Sequence, residues 1–284
     1  MPVPDREEFI EQSYLYRAMG ERLEQALPTQ DLLGTLKHEI LPTGNLYLSL
    51  DYLASELKLT GFMAPAMRRL KHYFTPFQTF LIGEAERDRG RFDLTMALKI
   101  LEREALYRAD QPSPQGLFLY QFESLCRNRL NYDRGLAAIA DDPAYDSEWR
   151  DWILLVRKQV GFLELGELIY LRSEQARLDR ARHGDSEQEP PVLFGAKEGR
   201  IAVANRGREP LLLFAVLHRQ LGYPEVPHPV FGDRPVDLVP TLIRRIERLE
   251  AKLKLMDDEQ RGILDLTKLY AKPDKPPAFE DEPS

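Results

Sequence analysis

The chain has 284 residues, 43% of them apolar and 30% charged, which is enough to bury one large core or two modest ones. A net charge of −7 excludes nucleic acid as the main partner, because phosphate neutralisation needs a concentrated basic face. The longest apolar run, Leu211 to Leu217, is too short to span a bilayer, the charged start Asp5-Arg6-Glu7-Glu8 leaves no room for a signal h-region, and the single Cys126 cannot close an internal disulfide, so a cytoplasmic, unanchored protein is expected.

The first helix is predicted from Asp5 to Leu27, with Phe9, Ser13, Tyr16, Gly20 and Leu23 on one face and Pro28 stopping it. A shorter helix follows over Gln30–Leu41. Leu46, Leu50, Leu53 and Leu57 then form a narrow stripe on a helix that Gly61 can end. Pro65 opens another. Thr75-Pro76 and Ser113-Pro114 each read as a cap followed by proline at the first helical position, where the missing N–H costs nothing. Asp146 or Ser147 starts a long helix with Trp149, Trp152, Ile153, Val156 and Val160 on its buried face, bending at Gly161 and Gly166 before it continues toward Arg182.

An internal echo appears at an offset of 40 residues, pairing Arg87, Arg89, Phe92, Asp93 and Ala97 with Arg127, Arg129, Tyr132, Asp133 and Ala137. Its physical reading is two stacked helical hairpins. His183 to Pro191 is polar and reads as a linker. Beyond it, Pro191 to Phe194 and Arg200 to Ala204, separated by Gly195 and Gly199, predict a small β-hairpin leaning on a helix from Pro210 to Gly222 that is buried on most sides. Tyr223 to Pro235 is a proline-rich strap.

The last helix carries the most specific pattern. Val239, Ile246 and Leu253 at a, with Leu242, Leu249, Met256 and Ile263 at d, give the 3-4 alternation of a coiled-coil seam. In a parallel homodimer, Arg245 and Lys252 at g face Glu250 and Asp257 at e of the other chain. Gln260 and Thr267 at a, and Gly262 at about 1 kcal/mol of helix stability, weaken the far end.

Chemistry-bearing motifs are sparse. The histidines at 38, 72, 183, 218 and 228 have no zinc-ligand spacing, and no cofactor is expected. Glu84, Glu86, Asp88 and Asp93 sit among arginines as a charged turn. Arg127, Arg129 and Arg134 surround Cys126 and could lower a thiol pKa, although an inert cysteine is favoured. Gly195 to Gly199 lacks the spacing of a phosphate loop.

The chain is therefore expected to be mainly α: a helical-hairpin bundle or short α-solenoid-like domain over residues 1–182, a linker at 183–191, a small α+β segment over 192–235, a coiled-coil-like helix over 236–270 and a disordered tail over 271–284. The function it points to is a non-enzymatic cytoplasmic scaffold that self-associates as a dimer, with a further protein partner and neither nucleic acid nor membrane. The alternative is an enzyme or small-ligand sensor with a pocket between N-terminal helices near His72, Tyr73 and Tyr120.

Overall fold

The computed structural model describes residues 4–25, 29–40, 44–87, 92–183 and 190–229, and beyond them only Leu249, Glu250 and Leu253. Among these residues the regular structure is helical, and the β contacts are two isolated bridges. Helix α1 (Arg6–Glu24) begins where Asp5 accepts a hydrogen bond from Glu8 N at 2.9 Å, supplying one of the amide partners that a helix start lacks. Its buried side packs along α6 (Leu94–Ala109). Next come α2 (Thr29–Leu36) and α3 (Asn45–Thr60), and the predicted leucine stripe of α3 is buried at all four positions. Gly61 closes α3 at φ 72°, a conformation glycine adopts without a Cβ penalty. Helix α4 (Ala64–Arg69) is capped from a distance, because Glu86 accepts from Met63 N at 2.6 Å and from Ala64 N at 3.0 Å.

Two hairpins follow, α5 (Pro76–Ala85) with α6 and α7 (Pro114–Arg127) with α8 (Tyr132–Ala140). Thr75 and Ser113 cap α5 and α7 with proline next in each case, as the sequence predicts, and Thr75 with Gln78 forms a reciprocal capping box. These caps correct the register of the echo. Thr75 and Ser113 lie 38 residues apart, and so do Asp93 and Asn131, the caps of α6 and α8, whereas the offset of 40 places Asp93 against Asp133, a first-turn residue bonded to Arg157. At the 38-residue register Ala97 meets Gly135. A Cβ on Gly135 would come within 2.7 Å of the Leu125 side chain, so the second helix of each hairpin carries a small residue where it approaches its neighbour.

Helix α9 (Ser147–Gln159) starts at the Asp146 cap and buries Trp149, Trp152, Ile153 and Val156 as predicted, whereas Val160, also expected on that face, is its half-buried C-cap. Gly161, at φ 97°, ends it outright, and the path continues as the separate helices α10 (Leu165–Leu171) and α11 (Glu174–His183). The predicted β-hairpin is not formed. Residues Ala196–Ala204 are helix α12, with Gly195 as its N-cap, and the only strand-like contact among the described residues there is a single bridge between Phe194 and Ser173. The physical reason lies in Gly199: a Cβ there would sit 2.2 Å from Ser173 Oγ and 2.8 Å from Gln175 Cβ, so this glycine permits close helix packing rather than a turn. Helix α13 (Pro210–Leu221) runs to Gly222 at φ 68°. It buries Leu213, Phe214 and Leu217 but leaves Leu211 and Leu212 exposed, so it is covered on one side rather than on most.

Residues on both sides of the expected linker join one hydrophobic core. Phe194 packs edge-on against Trp149 and Trp152 at 5.3 and 5.1 Å, and Phe214 lies 6.1 Å from Phe122. The strap over 223–229 has no regular secondary structure and is pinned: Tyr223 OH donates to Glu123 at 2.7 Å, Asn128 donates to Pro227 O at 3.0 Å and Arg103 donates to Glu225 O at 2.5 Å. At the C-terminal helix, Leu249, Glu250 and Leu253 are helical, with Leu249 59% and Leu253 65% exposed. The other predicted seam residues, Leu242, Arg245, Ile246, Lys252, Met256 and Asp257, lie outside the described residues, as do the core of the linker and the acidic tail.

Candidate functional site

The most unusual chemistry in the structure is a charge cluster sealed inside the helical body. Arg108, in the last turn of α6, is 3% exposed at its side chain, and its partners Glu104 and Asp142 are both at 0%. Arg108 donates to Glu104 Oε1 from Nε at 3.2 Å and from Nη2 at 2.9 Å. On its other side it forks onto Asp142, from Nη1 to Oδ1 at 3.2 Å and from Nη2 to Oδ2. Gln121 on α7 donates to Glu104 Oε1 at 2.8 Å and accepts from Tyr145 OH at 2.8 Å. Asp142 also accepts from Ala144 N at 3.0 Å, which fixes the turn between α8 and α9.

A separate buried relay ties the start of the fold to the first hairpin. Gln12 donates to Tyr73 O at 3.2 Å and accepts from Gln78 at 2.9 Å, so α1 is held to the cap of α5 through two side-chain amides.

Burial works against the charged form of Arg108, yet the carboxylates of Asp142 and Glu104 hold it above its ordinary value. Burial also pushes the Glu104 carboxyl upward, and the nearby Asp142 charge adds to this, while Arg108 and Gln121 pull it down. Four guanidinium-to-carboxylate hydrogen bonds engage all three of its nitrogens, so Arg108 serves as a clamp joining α6, α7 and the α8–α9 turn rather than as a free electrophile.

A cleft of about 400 Å³ is lined by Phe9, Pro112, Pro114 and Leu117 together with Arg108 of the cluster and Arg6. The Phe9 ring lies 5.9 Å from the Arg108 guanidinium. The cleft belongs to the start of α1 and the α6–α7 connection, where Gln111 takes a positive φ of 53°.

The residues expected to line a pocket are placed differently. His72 is exposed, Tyr73 is buried with its ring edge-on to Phe74 at 4.9 Å, and Tyr120 is buried with its hydroxyl donating to Ile100 O at 2.7 Å. None of the three lines the cleft. The acids near the end of α5 have structural work: Glu84 pairs with Arg87 and Arg134, Glu86 caps α4 and Asp93 caps α6. Asp88 lies outside the described residues. Among the described residues, no group of three or more His, Cys, Asp or Glu side chains could hold a metal ion, and no helix is long and apolar enough to cross a membrane.

Cys126 is not activated by its arginine neighbours. Burial pushes its thiol up to about 12, with a smaller opposing effect from Tyr132. At pH 7 its thiolate population falls on the order of 10³-fold below that of an exposed cysteine. The native protein is therefore expected to resist alkylation by iodoacetamide and to react readily once unfolded in urea, and rapid labelling of the folded protein would contradict this placement.

Sequence reasoning overlooked Glu104, Arg108, Gln121 and Asp142. A signal was present: Ala97, Ile100, Leu101, Glu104 and Arg108 follow one helical face, so the two charges fall where the stripe calls for apolar residues. Comparison of the chain with protein-family models, with curated proteins and with solved structures yields no match in any of the three.

Proposed function

We propose that the protein is a non-enzymatic cytoplasmic scaffold that self-associates through its C-terminal helix. The observation that carries this reading is the exposure of Leu249 and Leu253, which lie one helical turn apart in helical conformation with more than half of each residue open to solvent. Leucines at that spacing belong to the seam defined by Leu242, Ile246, Leu249, Leu253 and Met256, and a seam left open is stabilised by a second copy. The strap pinned along α6 and α7 gives the arm a fixed point of departure. In the proposed parallel dimer, Arg245 and Lys252 pair with Glu250 and Asp257 of the other chain, which selects orientation more than it adds affinity.

The test is the double substitution Leu249→Asp with Leu253→Asp, followed by sedimentation velocity and far-ultraviolet circular dichroism. Loss of the dimer with the helical signal of the body retained supports the proposal. Cooperative unfolding of the whole chain would instead mean that these leucines pack on their own body. The second reading, a small-ligand sensor, is favoured by the cleft beside Phe9 and Arg108 rather than by His72, Tyr73 and Tyr120. Native mass spectrometry of protein purified without added ligand distinguishes it by a bound small molecule.

A further inference from the structure

The buried cluster contains two carboxyl groups and one guanidinium, and the guanidinium is always charged. With both acids ionised the core would hold an uncompensated negative charge, which is strongly unfavourable in a medium of low dielectric. The hydrogen bonds show which acid is relieved. Both oxygens of Asp142 accept from Arg108, and Oδ1 also accepts from Ala144 N, so Asp142 is the counter-ion. Glu104 places every accepted bond on Oε1, from two Arg108 nitrogens and from Gln121. Its Oε2 is buried and accepts nothing from any described residue, and the buried hydroxyl of Tyr16 has no partner among them either.

We propose that Glu104 is a neutral carboxylic acid in the folded protein, with its proton on Oε2, and that this one proton balances the core and makes its packing sensitive to alkaline pH. The groups around it come from the neighbouring elements: Tyr16 from α1, itself beside Tyr73 of the turn before α5, Arg108 from α6 itself, Tyr120 and Gln121 from α7, and Asp142 and Tyr145 from the α8–α9 turn. Tyr16, Tyr120 and Tyr145 are held in their neutral form, chiefly by burial, which leaves the Glu104 carboxyl, raised by its own burial, as the group of the cluster that gives up its proton as pH rises. Arg108 also lines the cleft, so loss of the proton, by drawing the guanidinium toward Glu104, is felt at that surface.

The sign follows from linkage. A carboxyl that binds its proton more tightly in the folded state stabilises fully below its unfolded pKa of about 4.3 and loses that contribution as pH rises toward the raised folded value. The experiment is urea unfolding of the full chain between about pH 5 and pH 9 for wild type, Glu104→Gln and Asp142→Asn, with infrared spectroscopy of the folded proteins. The glutamine of Glu104→Gln would keep the acceptor for Arg108 and supply a donor in place of the acid proton. Relative to Glu104→Gln, the wild-type ratio of folded to unfolded protein is expected to fall by up to about tenfold per pH unit in this window. Wild type should show a protonated-carboxyl C=O band at neutral pH that Glu104→Gln lacks. In Asp142→Asn, Arg108 keeps one acid partner, so Glu104 ionises and the band disappears. An unchanged pH slope in Glu104→Gln, or a wild type without the band, would overturn the proposal. If Glu104→Gln fails to fold, the band in wild type and its loss in Asp142→Asn decide the matter alone.

Discussion

Replacing Arg108 with methionine is expected to destabilise the fold by roughly 3–5 kcal/mol at neutral pH, because removing one member of a buried ionic cluster leaves its partners without compensation. Methionine fills much of the same volume, so the loss reads out charge rather than a cavity. Glu104 and Asp142 are sealed from solvent on both sides of the guanidinium, and Gln121 alone cannot replace four donated hydrogen bonds. Urea unfolding at neutral pH measures it. A loss under about 1 kcal/mol, of the size seen for solvated surface pairs, would mean that the cluster does not hold α6, α7 and the α8–α9 turn together.

Trp152→Ala should cost about 3–5 kcal/mol, through lost burial and the cavity it opens. Its ring is fully buried and meets Phe118 at 4.8 Å, Phe194 at 5.1 Å and Trp149 at 5.4 Å, so one side chain joins α7, α9 and the segment leading into α12. The contacts are edge-on, the geometry in which aromatic quadrupoles attract. Trp152→Phe should cost clearly less than the alanine change. It retains the ring contacts and removes an indole N–H that has no partner among the described residues. Denaturant unfolding of both variants separates the two contributions, and equal losses would show that the ring packing is not the source of the stability.

The chain order of the helices was legible because punctuation is local. Thr75-Pro76, Ser113-Pro114, Asp146, Gly61 and Gly222 each act through backbone groups within four residues, and every one sits at the helix end it implies. The region around Gly195 and Gly199 was misleading, since a glycine needed for close helix approach has the same one-letter appearance as a glycine needed for a turn. Only the contact with Ser173, distant in sequence, tells them apart. The 38-residue register was obscured in the same way: Arg127 and Arg129 match their counterparts at either offset within two positions, whereas the caps match at one.

The buried cluster was hidden for a different reason. Glu104 and Arg108 are spaced like an ordinary surface pair, and Asp142, which makes the arrangement costly and specific, arrives from 34 residues further along the chain. Sequence spacing records neighbours on one helix, not which face a second hairpin will cover. The heptad pattern of the C-terminal segment is the reverse case, explicit in sequence, whereas of its residues the structure describes Leu249, Glu250 and Leu253 alone.

Sedimentation equilibrium of the intact chain over a wide concentration range tests the scaffold account most directly. A mass approaching twice the 32.9 kDa of one chain, rising with concentration as a reversible dimer does, is the predicted result. A mass that stays at 32.9 kDa up to the highest concentration would contradict it.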